Sequence, residues 1–325
     1  MIDYHDLVEG LRQKQPRALA RAISLAENDP TAAERVFSRL WSEPSAESLG
    51  RVIGITGSPG AGKSTLVKCL LEEGIKENLR MAVLAVDPSS PFSGGAILGD
   101  RLRMNLSRWD PDQIYIRSLS ARGQLGGLSP GIRLSLNLVK YYRFDLILLE
   151  TVGVGQEEVD VMYLADWVMV LLVAGLGDDV QAMKAGLMEI ADLFVINKAT
   201  REGSDRLMAE LESLLCFSPR FQLPDVWKPP IRATDALSGQ GISELWQTLE
   251  KLPDMPEFQR HWKKKVERRL RYEVVQTSLD YFRHRILNTC QTINWNDVSA
   301  HQVSELAAAV IQSVQPPIMA QRPKE

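Results

Sequence analysis

The chain has 325 residues, 45% of them hydrophobic and 24% charged, and its 38 Lys and Arg against 41 Asp and Glu give a formal charge of −3. This composition is typical of a soluble globular protein and argues against both a disordered chain and a bulk polyelectrolyte partner of nucleic acid. The three cysteines have no paired or zinc-type spacing, and no apolar run approaches about 18 residues, so we expect a cytoplasmic protein without a leader, a disulfide framework or a membrane span.

The first part of the chain is predicted to be helical, and the middle part to be an α/β domain. Residues 1–48 carry apolar side chains at helical spacing, interrupted by Pro16 and Pro30. From Arg51 onward, short β-branched runs alternate with helical stretches. The predicted strands are Val52–Thr56, Met81–Val86, Ile114–Ile116, Leu146–Glu150, Val168–Val173, Leu193–Asn197 and Ile231–Thr234. This alternation predicts a mostly parallel, doubly wound sheet with helices on both faces over residues 49–253.

A phosphate-binding loop is the strongest motif in the chain. Residues 57–65 read GSPGAGKST, which satisfies G-x-x-x-x-G-K-[ST] and lies between a predicted strand and a predicted helix. The glycines allow backbone N–H groups to surround phosphate oxygens, and the following helix N-terminus favours negative charge. Lys63 is expected to reach the β- and γ-phosphates and Ser64 to offer an oxygen to Mg²⁺. A glycine-rich turn without a ligand is the alternative.

Acidic residues follow the predicted strands downstream of this loop. Asp87 and Glu150 each end an apolar run, and Asp100 lies in the loop GGAILGD. Because ligands bind at the carboxyl ends of strands in doubly wound sheets, Asp87 and Glu150 are expected beside the phosphate loop. Carboxylates there hold Mg²⁺ or orient an attacking water in phosphoryl transfer, and the residue types alone do not separate the two roles. Helix caps or surface ion pairs are the alternative for each.

Two glycine-rich loops have the composition of switch segments. Residues 151–156 (TVGVGQ) follow Glu150 directly, and their glycines permit close approach to a γ-phosphate and rearrangement when that group leaves. Residues 175–180 (GLGDDV) follow another predicted strand, with Lys184 one helical turn beyond. A solvated loop with an exposed lysine is the alternative for this second segment.

The predicted base-reading segment departs from the GTPase pattern. Asn197-Lys198-Ala199-Thr200 matches the guanine-reading motif N-K-x-D except that Thr200 stands where the aspartate would accept hydrogen bonds from guanine. A hydroxyl lacks the charge-assisted, bidentate geometry of a carboxylate, so the preference for guanine over adenine stays open. Residues 233–237 (ATDAL) follow a later strand at the position where GTPases offer a backbone amide to guanine. Asp235 could compensate for the missing carboxylate.

The alternation of strands and helices ends near residues 253–256 (PDMP), and residues 254–325 are predicted to form a helical arm with a frayed tail. Residues 260–271 (RHWKKKVERRLR) are strongly basic, which could suggest nucleic acid. We favour a solvated helix face, because an apolar stripe suited to packing on a second copy continues along it through Trp262, Val266, Leu270, Val274 and Leu279. No metal-binding or catalytic role is predicted for the four histidines, which are scattered.

The longer motifs together resemble the MeaB/ArgK-type P-loop GTPases, relatives of the human methylmalonic aciduria type A protein. They are GSPGAGKST, AVDPSSPFSGGAILGDRLRM, FDLILLETVGVGQ, GLGDDVQAMKAG, VINKA and ALSGQGI, and the similarity extends over about residues 1–315. The resemblance implies a GTP-binding and GTP-hydrolysing chaperone of adenosylcobalamin-dependent methylmalonyl-CoA mutase. It also implies a homodimer joined by the C-terminal arm and a need for Mg²⁺ with GTP or GDP.

The resemblance also assigns roles to individual residues. The phosphates would be held by Gly57, Ser58, Pro59, Gly60, Ala61, Gly62, Lys63, Ser64 and Thr65. The Mg²⁺ and hydrolysis cluster would be Ser64, Asp87, Asp100 and Glu150. Lys184 would be a mobile-loop group that engages the nucleotide when the partner is bound. The residues near the base would be Asn197, Lys198, Thr200, Asp235, Ala236 and Leu237.

Two other functions compete with a slow, partner-stimulated GTPase that gates cofactor loading or protection. The first is a P-loop kinase or ATPase that phosphorylates a small molecule or a transport-system protein, consistent with the older kinase names of some family members. The second is an adaptor whose GDP and GTP forms bind different partners. Neither a nucleic acid nor a membrane is an expected partner.

Overall fold

The structure is a computed structural model that describes residues 4–41, 50–87, 109–120, 129–151, 163–175, 188–223, 226–291, 293 and 303–313. Its contacts divide the chain into two compact units, Met1–Arg269 and Leu270–Glu325. The first unit contains the sheet and the helices that cover it. The second unit contains the rest of the helix that begins at Pro256, together with the helix Val303–Ser313.

The first unit alternates strands and helices after an N-terminal helical segment. Its strands are β1 (Arg51–Gly57), β2 (Met81–Asp87), β3 (Ile114–Ser120), β4 (Leu146–Thr151), β5 (Trp167–Leu172), β6 (Leu193–Ile196) and β7 (Ile231–Ala233). The longer helices of the chain are α1 (Tyr4–Arg12), α2 (Pro16–Asn28), α3 (Pro30–Trp41), α4 (Lys63–Lys76), α5 (Pro130–Tyr141), α6 (Ser204–Phe217), α7 (Ile242–Lys251), α8 (Pro256–Gln291) and α9 (Val303–Ser313). Short turns of helix lie at Met188–Ile190, Pro219–Gln222 and Leu252–Asp254.

The strands form one 7-stranded sheet in the order β3-β2-β4-β1-β5-β6-β7. Every pairing between neighbouring strands is parallel. The predicted α/β class and the parallel, doubly wound sheet are therefore confirmed. Because all strands point the same way, the segments after β1, β4, β6 and β7 emerge at one edge of the sheet, where such folds bind ligands.

Each face of the sheet is covered by its own hydrophobic core. On one face, buried side chains of α1, α2 and α3 pack with α5 and with alternate strand residues such as Val52 and Ile147. On the other face, α4, α7 and the start of α8 pack against the intervening strand residues such as Ile53 and Leu148. Since successive strand residues face opposite sides, near-continuous apolar strands are what a sheet covered on both faces requires.

The N-terminal helical segment is fastened to the sheet by polar contacts as well. The Glu27 carboxylate of α2 lies 2.8 Å from the guanidinium of Arg117 and accepts a 3.2 Å hydrogen bond from the backbone N–H of Ser120. Strand β3 extends four residues beyond the predicted Ile116, paired with β2 as far as Ser120, and Glu27 balances the charge of the partly buried Arg117 within this extension. On the same face, Tyr142 donates a 2.6 Å hydrogen bond to the carbonyl of Gln15.

Among the described helices, none combines the length and the apolar character needed to cross a membrane. Cys69, Cys216 and Cys290 form no disulfide bond in the described part of the chain. The side chains of Trp167, Trp227 and Trp246 are buried.

Candidate nucleotide site

The phosphate-binding loop connects β1 to α4, and two of its glycines are required by their surroundings. Gly57 has φ +146° and Gly62 has φ +90°, a region that other residues rarely adopt. A Cβ on Gly62 would lie 2.5 Å from Nδ2 of Asn197, and one on Gly57 would lie 2.2 Å from the carbonyl of Leu171. The loop is therefore packed tightly against the neighbouring strand ends. Helix α4 begins at Lys63, so its unpaired N–H groups lie at the loop.

Lys63 is buried within the loop. Its ammonium group donates hydrogen bonds to the carbonyl oxygens of Gly57, at 2.7 Å, and Ser58, at 3.1 Å. These contacts hold the positive charge inside the curve of the loop. A phosphate oxygen would be an alternative, charged acceptor for the same N–H groups, and charge-assisted hydrogen bonds are stronger than those to neutral carbonyls.

Ser64 and Glu150 meet next to this loop. The Ser64 hydroxyl donates a 2.7 Å hydrogen bond to Oε1 of Glu150, which comes from the carboxyl end of β4 and is only 2% exposed. Strands β4 and β2 are neighbours, with Ala85 paired to Glu150 and Val86 to Thr151, so the backbone of Asp87 lies one step beyond that pairing. The carboxyl ends of β1, β2 and β4 are therefore neighbours at one edge of the sheet, and the Mg²⁺ and hydrolysis cluster stays a prediction.

Other predicted members of the cluster are not described. Asp100, Lys184, residues 152–156 and residues 176–180 lie outside the described residues, and for Asp87 only the backbone is described. Within the part of the chain that the structure describes, no group of three or more His, Cys, Asp and Glu side chains is arranged to hold a metal ion. Of the predicted Mg²⁺ cluster, only the side chains of Ser64 and Glu150 belong to the described residues.

Asn197 connects three segments at the other end of the loop. Its side-chain amide donates a 2.8 Å hydrogen bond to the carbonyl of Ala61 in the phosphate loop. Its side-chain oxygen accepts from the backbone N–H of Ala236, at 3.1 Å, and from the hydroxyl of Thr234, at 3.2 Å. The residue is 1% exposed. Asn197 therefore fixes the segment after β6 against both the phosphate loop and the segment after β7.

Lys198 extends along the phosphate loop. Its ammonium group donates a 2.9 Å hydrogen bond to the carbonyl of Gly60. The backbone of Lys198 has φ +56°, a left-handed conformation that residues other than glycine seldom adopt. Such strain is characteristic of ligand-binding segments, where the surrounding contacts enforce it. Next to it, the N–H of Ala199 donates to the carbonyl of Thr234 at 2.9 Å.

Thr200, which departs from the GTPase motif, contacts a carboxylate from a different segment. The Thr200 hydroxyl donates a 2.6 Å hydrogen bond to Oδ2 of Asp235, whose Oδ1 accepts from the backbone N–H groups of Leu237, at 3.0 Å, and Ser238, at 3.3 Å. The hydrogen bond from Thr200, followed by that from Ser238, lowers the pKa of the Asp235 carboxyl. Asp235 is 9% exposed, Ala236 is buried and Leu237 is 83% exposed.

Two contacts of this region were not predicted from the sequence. The Cys69 thiol of α4 lies 3.3 Å from the carbonyl of Ala236, and Thr234 binds Asn197 as described above. The position of Thr234 directly before Asp235 could have indicated its contact. For Cys69, the only available signal was its place in the helix that follows the phosphate loop, which does not reveal the facing loop.

The chain is similar in sequence to known GTPases. A family profile described as the methylmalonyl-CoA mutase-associated GTPase MeaB matches residues 19–290. A Pyrococcus horikoshii protein that is named as a GTPase is 46% identical over 245 residues, which cover 75% of this chain and 76% of that protein. GTPase ArgK of Escherichia coli is 39% identical over 248 residues, 74% of this chain and 73% of ArgK.

A mouse relative and a solved structure extend the comparison. The mouse methylmalonic aciduria type A homolog, mitochondrial, is 38% identical over 259 residues, which cover 75% of this chain and 61% of that protein. A crystal structure described as that of a LAO/AO transport system kinase has a TM-score of 0.63 at 26% identity. That match covers 96% of this chain and 99% of the other.

Proposed function

Because the chain belongs to the MeaB family of methylmalonyl-CoA mutase-associated GTPases, we propose that it docks on an adenosylcobalamin-dependent methylmalonyl-CoA mutase and gates the loading or protection of the cofactor. The chain is a P-loop GTPase. The observation that supports a nucleotide-controlled function best is the contact network of Asn197, which joins the phosphate loop to both segments expected near the base. A nucleotide bound there would touch all three segments at once, so a change from GTP to GDP could shift the conformation of all three.

The phosphates of the nucleotide would lie in the loop of residues 57–65. Lys63 would exchange its hydrogen bonds with the carbonyls of Gly57 and Ser58 for bonds to phosphate oxygens. The N–H groups at the start of α4 would add hydrogen bonds and a favourable dipole. These contacts are common to GTP and GDP, so they supply affinity for both nucleotides.

The residues at the phosphate end also suit Mg²⁺, which binds carboxylate and hydroxyl oxygens. Ser64 and Glu150 present two such oxygens 2.7 Å apart, and with Asp87 and Asp100 they would hold the ion. When bound, Mg²⁺ neutralises charge that develops on the phosphate oxygens. Glu150 would orient the attacking water, and Lys184 would engage the nucleotide when the partner is present. With the hydrolytic groups completed only in the complex, turnover of the isolated chain is expected to be slow.

The base would lie between the segments after β6 and β7. Asn197 and Lys198 would position it against the phosphate loop, with Thr200 and residues 235–237 at its polar edge. We further propose a homodimer that forms through the C-terminal arm and a cytoplasmic location. That reducing compartment is consistent with Cys69, Cys216 and Cys290, which form no disulfide bond among the described residues.

A kinase is the second candidate, because a solved structure that shares this fold is named as a transport system kinase. A kinase needs an acceptor group that takes the γ-phosphoryl in place of water. Transfer of labelled phosphate from GTP to a component of a cell extract, lost in Lys63→Ala, would support this candidate over hydrolysis.

Docking can be tested by interferometry with immobilised methylmalonyl-CoA mutase from the same organism. The chain is applied without nucleotide, with Mg²⁺ and GDP, and with Mg²⁺ and a non-hydrolysable GTP analogue. We expect the Kd for the mutase to differ by about 5-fold or more between the two nucleotide states, a typical coupling between two binding sites. The control Lys63→Ala should bind the mutase without this dependence. Absence of binding in every state would contradict docking, and equal Kd values with nucleotide bound would contradict gating.

A further inference from the structure

The carboxylate that reads guanine in the GTPase motif N-K-x-D is missing from its usual position in this chain. In the motif N-K-x-D the fourth residue is the carboxylate, and here that residue is Thr200. The structure brings the Thr200 hydroxyl within 2.6 Å of the carboxylate of Asp235, which belongs to the segment after β7. We propose that Asp235 is the group that reads the guanine N1–H and 2-amino donors, with Thr200 as the positioning residue that orients it. This proposal rests on the proposed function, because it requires a guanine nucleotide between the two segments.

The sheet makes such an exchange of positions possible. Strands β6 and β7 are parallel neighbours, with Ile196 paired to Ala233. The N–H of Thr234 donates to the carbonyl of Ile196 at 2.8 Å, and the N–H of Ala199 donates to the carbonyl of Thr234 at 2.9 Å. The two segments therefore leave the sheet side by side. The side chains of Thr200 and Asp235 end within one hydrogen-bond length of each other. A carboxylate on either segment would therefore lie close to the same edge of the base.

The hydrogen bonds of Asp235 leave room for a ligand. A carboxylate offers about four lone-pair sites, and Thr200, Leu237 and Ser238 occupy three of them. The contact from Ser238, at 3.3 Å, is the longest and the weakest of the three. A guanine edge could take the remaining site and replace that contact. The carboxylate is charged at neutral pH, since its hydrogen bonds lower its pKa.

A purely structural function of Asp235 predicts different behaviour. Its bonds to the N–H groups of Leu237 and Ser238 form a local turn that the side-chain oxygen of an asparagine can also accept. Asp235→Asn therefore preserves the turn and replaces Oδ2 by an amide donor at the base edge, and the Thr200 hydroxyl can turn to accept from that amide. Xanthine carries an oxygen acceptor in place of the 2-amino group of guanine. The substitution should thus exchange one base preference for the other.

The test is calorimetric titration of the whole chain with GDP, xanthosine diphosphate and ADP, each with Mg²⁺. For the wild type we expect GDP to bind most tightly. In Asp235→Asn we expect the affinity for GDP to fall by about 10- to 100-fold, the value of a lost charge-assisted hydrogen bond, and xanthosine diphosphate to bind more tightly than GDP. A loss of turn structure alone would weaken both nucleotides together.

Two control variants separate positioning from reading. Thr200→Val removes the hydroxyl that donates to Asp235 at nearly constant volume, and we expect a severalfold loss of GDP affinity with GDP still preferred over xanthosine diphosphate. The exchange variant Thr200→Asp with Asp235→Ser places the carboxylate on the other segment, and we expect guanine preference to remain.

The outcomes distinguish this proposal from the proposed function. If the wild type prefers GDP and Asp235→Asn leaves the ratio of GDP to xanthosine diphosphate affinity unchanged, the assignment of Asp235 is wrong and the GTPase function stands. If the exchange variant loses guanine preference, the two positions are not interchangeable and the proposal is also wrong. A wild type that binds ADP as tightly as GDP would overturn guanine reading at this site altogether.

Discussion

Ser64 and Glu150 illustrate what single residues determine in this protein. Ser64 lies in the first turn of α4 and Glu150 ends β4, and their 2.7 Å hydrogen bond places a buried carboxylate at the phosphate end of the nucleotide site. Phosphoryl transfer depends mainly on positioning and on neutralising charge, and both require oxygens held at fixed places. The burial of Glu150 supplies that rigidity, because a buried side chain has few alternative rotamers.

Replacing Glu150 by Gln should separate binding from hydrolysis. The amide keeps the size of the side chain and can still accept the Ser64 hydrogen bond, but it cannot take a proton from an attacking water. We expect GTP hydrolysis measured in single turnovers to fall by about 100-fold or more, with the Kd for GDP changed only severalfold. The control is Glu72→Gln on the exposed side of α4, which should hydrolyse GTP normally. Unchanged hydrolysis in Glu150→Gln would rule out a role for this carboxylate.

At the scale of elements, the start of α8 is fastened to the amino ends of the central strands. Asp192, which precedes β6, is 1% exposed and binds His261 at 2.6 Å as well as Lys265. Asp166, which precedes β5, binds Arg269 and accepts a 2.8 Å hydrogen bond from the N–H of Val52. Part of the basic run of α8, predicted to be a solvated face, is therefore neutralised by carboxylates of the sheet.

The charge of Asp192 should contribute to stability in a pH-dependent way. Burial alone would raise its pKa, but the positive charge of Lys265 and the hydrogen bond of His261 outweigh burial, and the pKa is lowered. A lowered pKa means that the stabilisation is present above the ordinary value for Asp, about 3.9, and is lost as the pH falls through the folded-state value. Asp192→Asn leaves Lys265 without its buried countercharge.

We therefore expect Asp192→Asn to lower the free energy of unfolding at pH 7 by about 3 kcal/mol, the cost of breaking a buried ion pair. Urea denaturation followed by circular dichroism measures this difference, which should stay constant above about pH 4 and shrink as the pH is lowered further. The exposed Asp254→Asn serves as the control, with an expected change of less than about 0.5 kcal/mol. A difference that does not vary with pH would show that packing, and not charge, is responsible.

At the scale of the whole molecule, the second compact unit contains apolar side chains that its own chain leaves exposed. Leu270, Val274 and Leu279 continue the predicted stripe of α8 and are 53%, 65% and 54% exposed. Tyr281, Phe282 and Leu287 on the same helix are exposed as well. Exposed apolar patches of this kind usually mark protein interaction sites. They support the proposed homodimer, in which a second copy of the arm would cover them.

Charged residues in this stripe should produce a monomer. We expect Val274→Glu with Leu279→Glu to halve the mass measured by light scattering after gel filtration, because burying two unpaired carboxylates in an interface is unfavourable. The affinity for GDP should stay the same, since the nucleotide site lies in the first unit. Gln247→Glu, on the exposed side of α7 in the first unit, adds a charge away from the stripe and is the control, which should remain dimeric. An unchanged mass in the double variant would refute dimerisation through this stripe.

The local pattern of the sequence determined the backbone of this protein. Runs of apolar residues predict the strands, Pro16 and Pro30 predict helix starts, and the glycines of residues 57–65 predict the phosphate loop. These signals are local, because hydrophobic periodicity and backbone sterics act between residues that are close in sequence. Long, specific motifs indicated the GTPase family, because each motif is a continuous run of residues that can be read directly from the sequence. The motif pattern also marked Thr200 as unusual and suggested Asp235 as a substitute, without placing the two side chains together.

Tertiary structure alone decided which distant side chains meet. The bonds of Thr200 to Asp235, Glu150 to Ser64 and Asp192 to Lys265 join residues 35, 86 and 73 positions apart. The first two depend on the order of strands in the sheet, which places β7 beside β6 and β4 beside β1, and the third depends on the packing of α8 at the start of β6. Strand order is set by the burial of whole faces against helices, so no local pattern encodes it. Which side chain each of these residues contacts is therefore determined only when the strands and helices pack together.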